Sequence, residues 1–514
     1  MQFRRLRSGY ITKIAVFALA LVAGCTEEYR PAFLGGTLDL PRGVASGGTL
    51  SIRVGLRFTE IPIQQETFVN GKVATTETYR LRDMTRTPVL LDFNGDGRVD
   101  PVVGYHAGLI GTVQILLSYD GPNGADFTSL TLDGGENQWD LLADVAVGDI
   151  DGDGALDLVV ACGDGVVYLH HPDDPANTHV LSQWGQETGA LELIAGTTEG
   201  LSEEELASLI VTALGPEFDP SFYIPLVTEG YTAVEIADFD HDGDNDIAAA
   251  RQLDVVLEPK PNYNLEPINI AAGSLQILLN PGYTPNGQYW SGLAVGQHER
   301  HSVLDREGAS DLHAADLDGD GDLDLITAAG LDDNVQIAWF ENPGGTGTID
   351  PALPWTQYRI GSVRGPSAID VADVTGDGRV DVIAVSPTQK QMVLFVQPEE
   401  SAARGFDWYT TPIVTFETYL PLDVKAIDID SDGVRELVVS GTQGAVRFFE
   451  AVGLPTETWD GDEIVTLSPA GNIAPLGYGD LDGDGDVDLV VVMAATEEEG
   501  GGNRVSWIRN ELIP

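Results

Sequence analysis

The chain is poor in cysteine, in methionine and, above all, in positive charge. Its 514 residues hold two cysteines, four methionines and 27 Lys+Arg against 81 Asp+Glu, a formal net charge of -54. So few basic residues exclude a nucleic-acid binder, which needs a cationic footprint on the phosphates. They exclude a polybasic membrane-surface protein on the same ground. Cys25 and Cys162 are too few for a disulfide framework. Apolar runs are short, and residues 14–23 would not span a bilayer comfortably. What the chain does have is 43% hydrophobic residues and 60 glycines, enough to bury a core despite the acidity. The length suggests roughly three domains, although all-β domains often exceed that measure.

The first 25 residues read as an address. Arg4, Arg5, Arg7 and Lys13 precede the apolar run, which ends in Val22-Ala23-Gly24-Cys25. This resembles the lipobox of bacterial lipoproteins and implies a signal peptide over 1–24, with Cys25 as the lipidated first residue. The expected location is extracytoplasmic, anchored by lipid to a bacterial outer membrane or cell surface. Loss of that segment removes four cations and leaves the mature chain more acidic still. Cys162 then has no intrachain partner and reads as a small buried hydrophobe.

The acids recur in a repeat. Seven nine-residue segments share one pattern: DFNGDGRVD (92–100), DIDGDGALD (149–157), DFDHDGDND (238–246), DLDGDGDLD (316–324), DVTGDGRVD (373–381), DIDSDGVRE (428–436) and DLDGDGDVD (480–488). Their starts lie 57, 89, 78, 57, 55 and 52 residues apart. Self-similarity at such a period signals a repeat architecture. Positions 1, 3, 5 and 9 carry oxygen side chains, and alternate oxygens on a tight loop converge on a hard cation such as Ca2+. Position 6 is always Gly, as a turn with positive φ requires. An EF-hand would need Glu at position 12, where this chain has Val103, Val160, Ala249, Thr327, Ala384, Val439 and Val491. Apolar and β-branched stretches flank every loop, so the unit is strand, loop, strand. Third strands follow at 113–118, 165–171, 275–280, 335–342, 392–397, 445–451 and 504–510, and fourth strands are expected at 179–183, 301–305 and 357–361. Four antiparallel strands per unit make a propeller blade.

Over residues 76–514 the sequence resembles the FG-GAP/VCBS repeat family and, more distantly, the integrin α-subunit propeller. The resemblance implies an all-β, calcium-binding β-propeller of seven four-stranded blades, binding up to seven Ca2+ ions. The implied ligands are Asp92, Asn94, Asp96 and Asp100; Asp149, Asp151, Asp153 and Asp157; Asp238, Asp240, Asp242 and Asp246; Asp316, Asp318, Asp320 and Asp324; Asp373, Thr375, Asp377 and Asp381; Asp428, Asp430, Asp432 and Glu436; and Asp480, Asp482, Asp484 and Asp488. Asn94 and Thr375 each remove a charge, so those sites should bind more weakly, and the longer Glu436 should shift its ion.

Ring closure is expected from an N-terminal strand at 76–83, with 25–75 as a β-rich lead-in containing an Asn70-Gly71 hairpin turn. The 89-residue interval allows eight blades if 189–230 is a degenerate blade. The favoured reading there is a helix opened by the Ser202/Glu205 capping box, with Leu206, Leu209, Ile210 and Ala213 on one face. Residues 253–272 read as a Pro-rich loop. Three residues before consecutive loops stand Glu235, His313, Asp370 and Lys425, a candidate charged ligand site on the axial channel. No nucleophile motif, zinc spacing or phosphate loop appears, so the chain reads as a non-enzyme. The expected function is a scaffold for protein binding or adhesion at the cell surface. A lectin binding a glycan is the alternative, and a polysaccharide lyase a more remote one.

Overall fold

The computed structural model describes Phe58–Gln64 and most of residues 88–511. Outside the description lie 1–57, 65–87, 197–202, 297–308, 330–336, 345–354, 495–503, the stretch 173–191 apart from Trp184, and shorter connections. The leader, Cys25, the Asn70-Gly71 turn and segment 76–83 all fall there.

Strand β1 (Phe58–Gln64) precedes a regular series. Blade 1 is β2 (Pro88–Leu91), β3 (Asp100–Ala107), β4 (Ile110–Gly121) and β5 (Gly124–Asp133), with β6 (Trp139–Asp140) also on β4. Blade 2 is β7 (Asp144–Gly148), β8 (Asp157–Cys162), β9 (Gly165–Leu169) and β10 (Glu192–Gly196). Helix α1 (Glu203–Leu214) leads into blade 3, which is β11 (Tyr223–Ala237), β12 (Asp246–Pro259), β13 (Ile268–Leu279) and β14 (Ser291–Gly296). Blade 4 is β15 (Ala309–Ala315), β16 (Asp324–Ala329), β17 (Ile337–Glu341) and β18 (Thr356–Gly361). Blade 5 is β19 (Ala368–Ala372), β20 (Asp381–Ser386), β21 (Gln391–Val396) and β22 (Tyr409–Thr415). Blade 6 is β23 (Pro421–Ile427), β24 (Glu436–Gly441), β25 (Ala445–Ala451) and β26 (Trp459–Thr466). In blade 7, β27 (Asn472–Gly479), β28 (Asp488–Ala494) and β29 (Arg504–Asn510) are completed by β1, which pairs antiparallel with β29 from Phe58↔Asn510 onward. The fold is a seven-bladed β-propeller.

The second strand of each blade explains the apolar runs of the sequence. Strands β8, β16, β20 and β24 are buried at every residue because a neighbouring blade packs on each face. The two-residue alternation assigns side chains to the two interfaces. In β20, Val382 and Ala384 pack with Ile326, Trp339 and Phe395 toward blade 4. Ile383 and Val385 pack with Val424 and Leu437 toward blade 6. Each fully buried Ile or Val contributes about 1.5–3 kcal/mol, so the core is a ring of seven interfaces rather than one centre. Packing there is close: a Cβ at Gly361 would lie 2.1 Å from the Phe395 ring.

Three expectations about position need correction. The closing strand is Phe58–Gln64, not 76–83; it lies in the segment read as lead-in, and residues 65–87 intervene before blade 1. The outer strands of blades 2 and 3 are Glu192–Gly196 and Ser291–Gly296, not 179–183 and 301–305. The connection from third to outer strand differs from blade to blade, running from 169 to 192, from 279 to 291 and from 341 to 356 in blades 2, 3 and 4, so no single spacing places the outer strand. Residues 253–272 are mostly strand, because β12 and β13 run past the ring as a ribbon with β11. Ile210 and Ala213 of α1 bury Val255, Leu257 and Ile270 of that ribbon, so only 260–267 turns. The helical face expected at Leu206, Leu209, Ile210 and Ala213 is therefore the packed one, and 189–230 forms no eighth blade.

Candidate metal centres and interblade contacts

All seven acidic loops join the first and second strands of a blade, so they share one face of the propeller. Their local fold follows from the repeat. The position-6 glycines have φ of 86–99°. Position 4 is also left-handed, including His241 (58°) and Ser431 (59°), a feature the sequence reading missed. The position-1 carboxylate accepts the amide of the position-6 glycine at 2.7–3.1 Å in every loop. The position-5 carboxylate accepts the position-7 amide at 2.7–3.2 Å. The position-9 acid accepts the position-2 amide at 3.0–3.1 Å. In six blades its other oxygen also accepts an amide at the end of the third strand, at 2.7–3.0 Å. Glu436, although longer, makes the same position-2 contact to Ile429.

These contacts hold the carboxylates in place and leave most of their oxygens a lone pair, while Asp157 Oδ2, Asp381 Oδ2 and Asp480 Oδ1 each accept two hydrogen bonds. Ligand atoms of Asp149, Asp151 and Asp157 lie within 4.8 Å of one another, as do those of Asp238, Asp240 and Asp246, of Asp316, Asp318 and Asp320, and of Asp428, Asp430 and Glu436. Oδ1 of Asp238 is buried without a hydrogen-bond partner. Oxygen donors at such spacing suit a hard divalent cation. Burial, with a smaller contribution from neighbouring carboxylates, raises the position-9 acids: Asp100 to about 6, Asp157, Asp246 and Asp488 to about 7, and Asp324 and Glu436 to about 8. Asp381 is raised by the same cause.

The loops differ in the cations the chain itself brings to them. His170 pairs with Asp151 in blade 2. Arg404, from the outer connection of blade 5, reaches Asp318 and Glu341 in blade 4. Arg509 Nε lies 2.8 Å from Asp482 Oδ2 in blade 7. Thr375, in blade 5, donates its amide to Asp381 at 2.9 Å, and Asn94 Oδ1 accepts the Asp96 amide at 3.0 Å.

Residues at the ends of the third strands join the blades, a role the sequence reading did not assign. The Asn280 amide donates to Ile150 O of blade 2 and to Asn245 O of its own loop. Asn342 does the same toward Phe239 O and Leu323 O, and Asn510 toward Ile429 O and Val487 O. Gln397 reaches Leu317 O. The signal was the recurring amide at one register (LLN, FEN, FVQ, WIRN). On the inner strands, Asp144, Asp311 and Asp423 accept amides of the following blade, from Val234, Ile369 and Leu476, at 2.8–3.0 Å.

The four residues expected on the channel do gather. Lys425 Nζ is 4.0 Å from Asp370 Oδ1, Asp370 Oδ2 accepts the Ala426 amide at 2.7 Å, and His313 Nε2 meets Ile369 O at 3.1 Å. Burial raises the Glu235 pKa, and the fields of His313 and Lys425 oppose that rise. Burial alone would lower the Lys425 pKa, but Asp423, Asp370 and Asp311 outweigh it and the net shift is upward. The cluster thus centres on the Lys425–Asp370 ion pair, with Glu235 and His313 in the same field.

The FG-GAP-like repeat family matches residues 92–160, 316–384 and 428–491, each match running from one acidic loop through the next and into the second strand of the following blade. The chain carries FG-GAP-like repeats. Two solved structures with similar folds are a Dos1 propeller (10% identity, 82% of this chain and 78% of that one, TM-score 0.40) and YCF48 from Cyanidioschyzon merolae (15% identity, 72% and 85%, TM-score 0.36). No curated protein matches the chain.

Proposed function

We propose that this FG-GAP-like propeller is a calcium-stabilised scaffold, lipid-anchored outside the cytoplasm, that binds a protein partner. The observation that carries the binding role is the ribbon projecting from blade 3. It exposes Phe222, Ile224, Leu226, Val227, Tyr263 and Leu265, with relative exposures of 37–54%. Strand β11 is an edge of its sheet, so its outer backbone groups are open to strand addition. An apolar patch beside an open edge suits a protein better than a glycan. Calcium would hold the seven loops, where carboxylates otherwise repel, in place of disulfides.

Photo-crosslinking from position 226 in cells exporting the chain should trap a discrete protein adduct. The adduct should be lost in Ile224→Lys. Glycan-array binding that survives this substitution, with no protein adduct, would favour the lectin reading instead. For the metal, melting with and without EDTA decides: each site filled at a hundredfold excess over its Kd adds ~2.7 kcal/mol, and an unchanged Tm would end the calcium account.

A further inference from the structure

Beside the acidic loop of blade 2 stands a buried histidine, at a register where no other described blade carries one. His170 directly follows the third strand β9, where blades 1, 3, 4, 5, 6 and 7 carry Leu117, Leu279, Glu341, Val396, Glu450 and Arg509. Its side chain is 4% exposed, and Nε2 points at Asp151, itself 5% exposed. Ligand atoms of Asp151, Asp153 and His170 lie within 4.8 Å of one another, and Asp151 also belongs to the set with Asp149 and Asp157. Two details resemble a prepared metal ligand. The other ring nitrogen, Nδ1, meets the backbone carbonyl of His171 and keeps a proton there, so the Nε2 proton shared with Asp151 is the one a metal ion would displace. The Tyr168 hydroxyl donates to Asp157 Oδ2 at 3.1 Å, holding the buried carboxylate from behind.

We propose that blade 2 is a mixed nitrogen–oxygen site that selects a borderline transition-metal dication, of the Zn2+ or Co2+ class, over calcium. The ligands are His170 Nε2 and carboxylate oxygens of Asp149, Asp151, Asp153 and Asp157. Imidazole is a poor partner for Ca2+ and a good one for zinc and its neighbours. In blade 3 the clustered atoms of Asp238, Asp240 and Asp246 are all oxygen, and His241 turns away to Asp322 of blade 4, so that site keeps the hard-cation preference. The inference rests on the loops being cation sites at all.

The test uses the full mature chain, stripped with chelator and returned to excess Ca2+. Limiting Co2+ should then be retained as a single equivalent after desalting, with a visible d–d band. His170→Gln should weaken Co2+ binding at least ~10-fold, the loss that even an outer-shell partner costs, and should keep the calcium-dependent rise in Tm. Should that variant fail to fold, zinc-edge EXAFS on the wild-type chain supplies the answer: one imidazole among oxygens supports the site, and an oxygen-only shell overturns it. Equal Co2+ retention by wild type and H170Q overturns it too. So does absence of retention while calcium still raises Tm. If neither ion affects the protein, the failure lies in the cation reading of all the loops.

Discussion

Replacing Asn342 with Ala should loosen the joint between blades 3 and 4. The Asn342 amide is 2% exposed and donates to Phe239 O at 3.0 Å and to Leu323 O at 3.1 Å, while its oxygen accepts the Gly344 amide at 2.9 Å. Alanine keeps the backbone bond to Asp324 but leaves these side-chain partners without it. At about 1 kcal/mol per neutral bond, with an added cost for buried groups left unpaired, the loss is about 2–3 kcal/mol. Unfolding entropy of ~2.1 cal/mol/K per residue over roughly 450 residues is about 0.95 kcal/mol/K, so Tm should fall by about 2–3 °C. Asn342→Asp should fall further near neutral pH, because it faces an anion toward two carbonyl oxygens, and should recover in acid as the carboxyl protonates. Scanning calorimetry on the calcium-loaded chain measures both. A Tm unchanged in N342A, or an N342D variant no worse than N342A at neutral pH, would refute the account of interblade amides.

Other outcomes follow from the same contacts. The position-9 acids have folded pKa values raised to about 6–8, so in metal-free protein they bind protons more tightly folded than unfolded. Their stabilising contribution is full below an unfolded pKa of ~4 and is lost as pH rises through 6–8. Melting in EDTA should therefore decline between about pH 5 and 8.5, with calcium restoring most stability at the alkaline end; a flat EDTA profile would count against it. Lys425→Met should cost about 3 kcal/mol in urea denaturation by leaving Asp370 and Asp423 without their cation, and full stability would show the network to be dispensable. Leu226→Lys should leave Tm within about 1 °C, since the side chain is 54% exposed, while reducing partner capture; loss of folding would mean that the ribbon is structural.

Much of this molecule was legible because its repeat is chemical as well as structural. Asp at alternate positions and an obligatory Gly at position 6 leave little choice of loop, and uninterrupted runs such as DLVVAC and DVIAVS require burial on both faces. Elements outside the repeat were harder. Strand β1 has no acidic loop to announce it, and its partner β29 lies at the opposite end of the chain. The ribbon of β12 and β13 looked like a loop because prolines at 259, 261 and 267 crowd its turn, yet Val255, Leu257 and Ile270 are buried by a helix about 50 residues upstream. His170 was visible as one of a histidine pair, but its proximity to Asp151 depends on the hairpin that returns β9 beside β8. The third-strand amides were plain in the sequence, and only the neighbouring blade's carbonyls gave them a task.

The pairing of Phe58 with Asn510 also bears on how the chain matures. Strand β1 must wait for a strand about 450 residues further along the chain before the last sheet has its fourth member. Until then β29 has an open edge, able to recruit β1 of another copy as readily as its own. Termination or proteolysis within Arg504–Asn510 would leave β1 without its mate and the ring ajar. The interval before β1 and β29 pair is therefore the stage at which this protein is most exposed to swapping and aggregation.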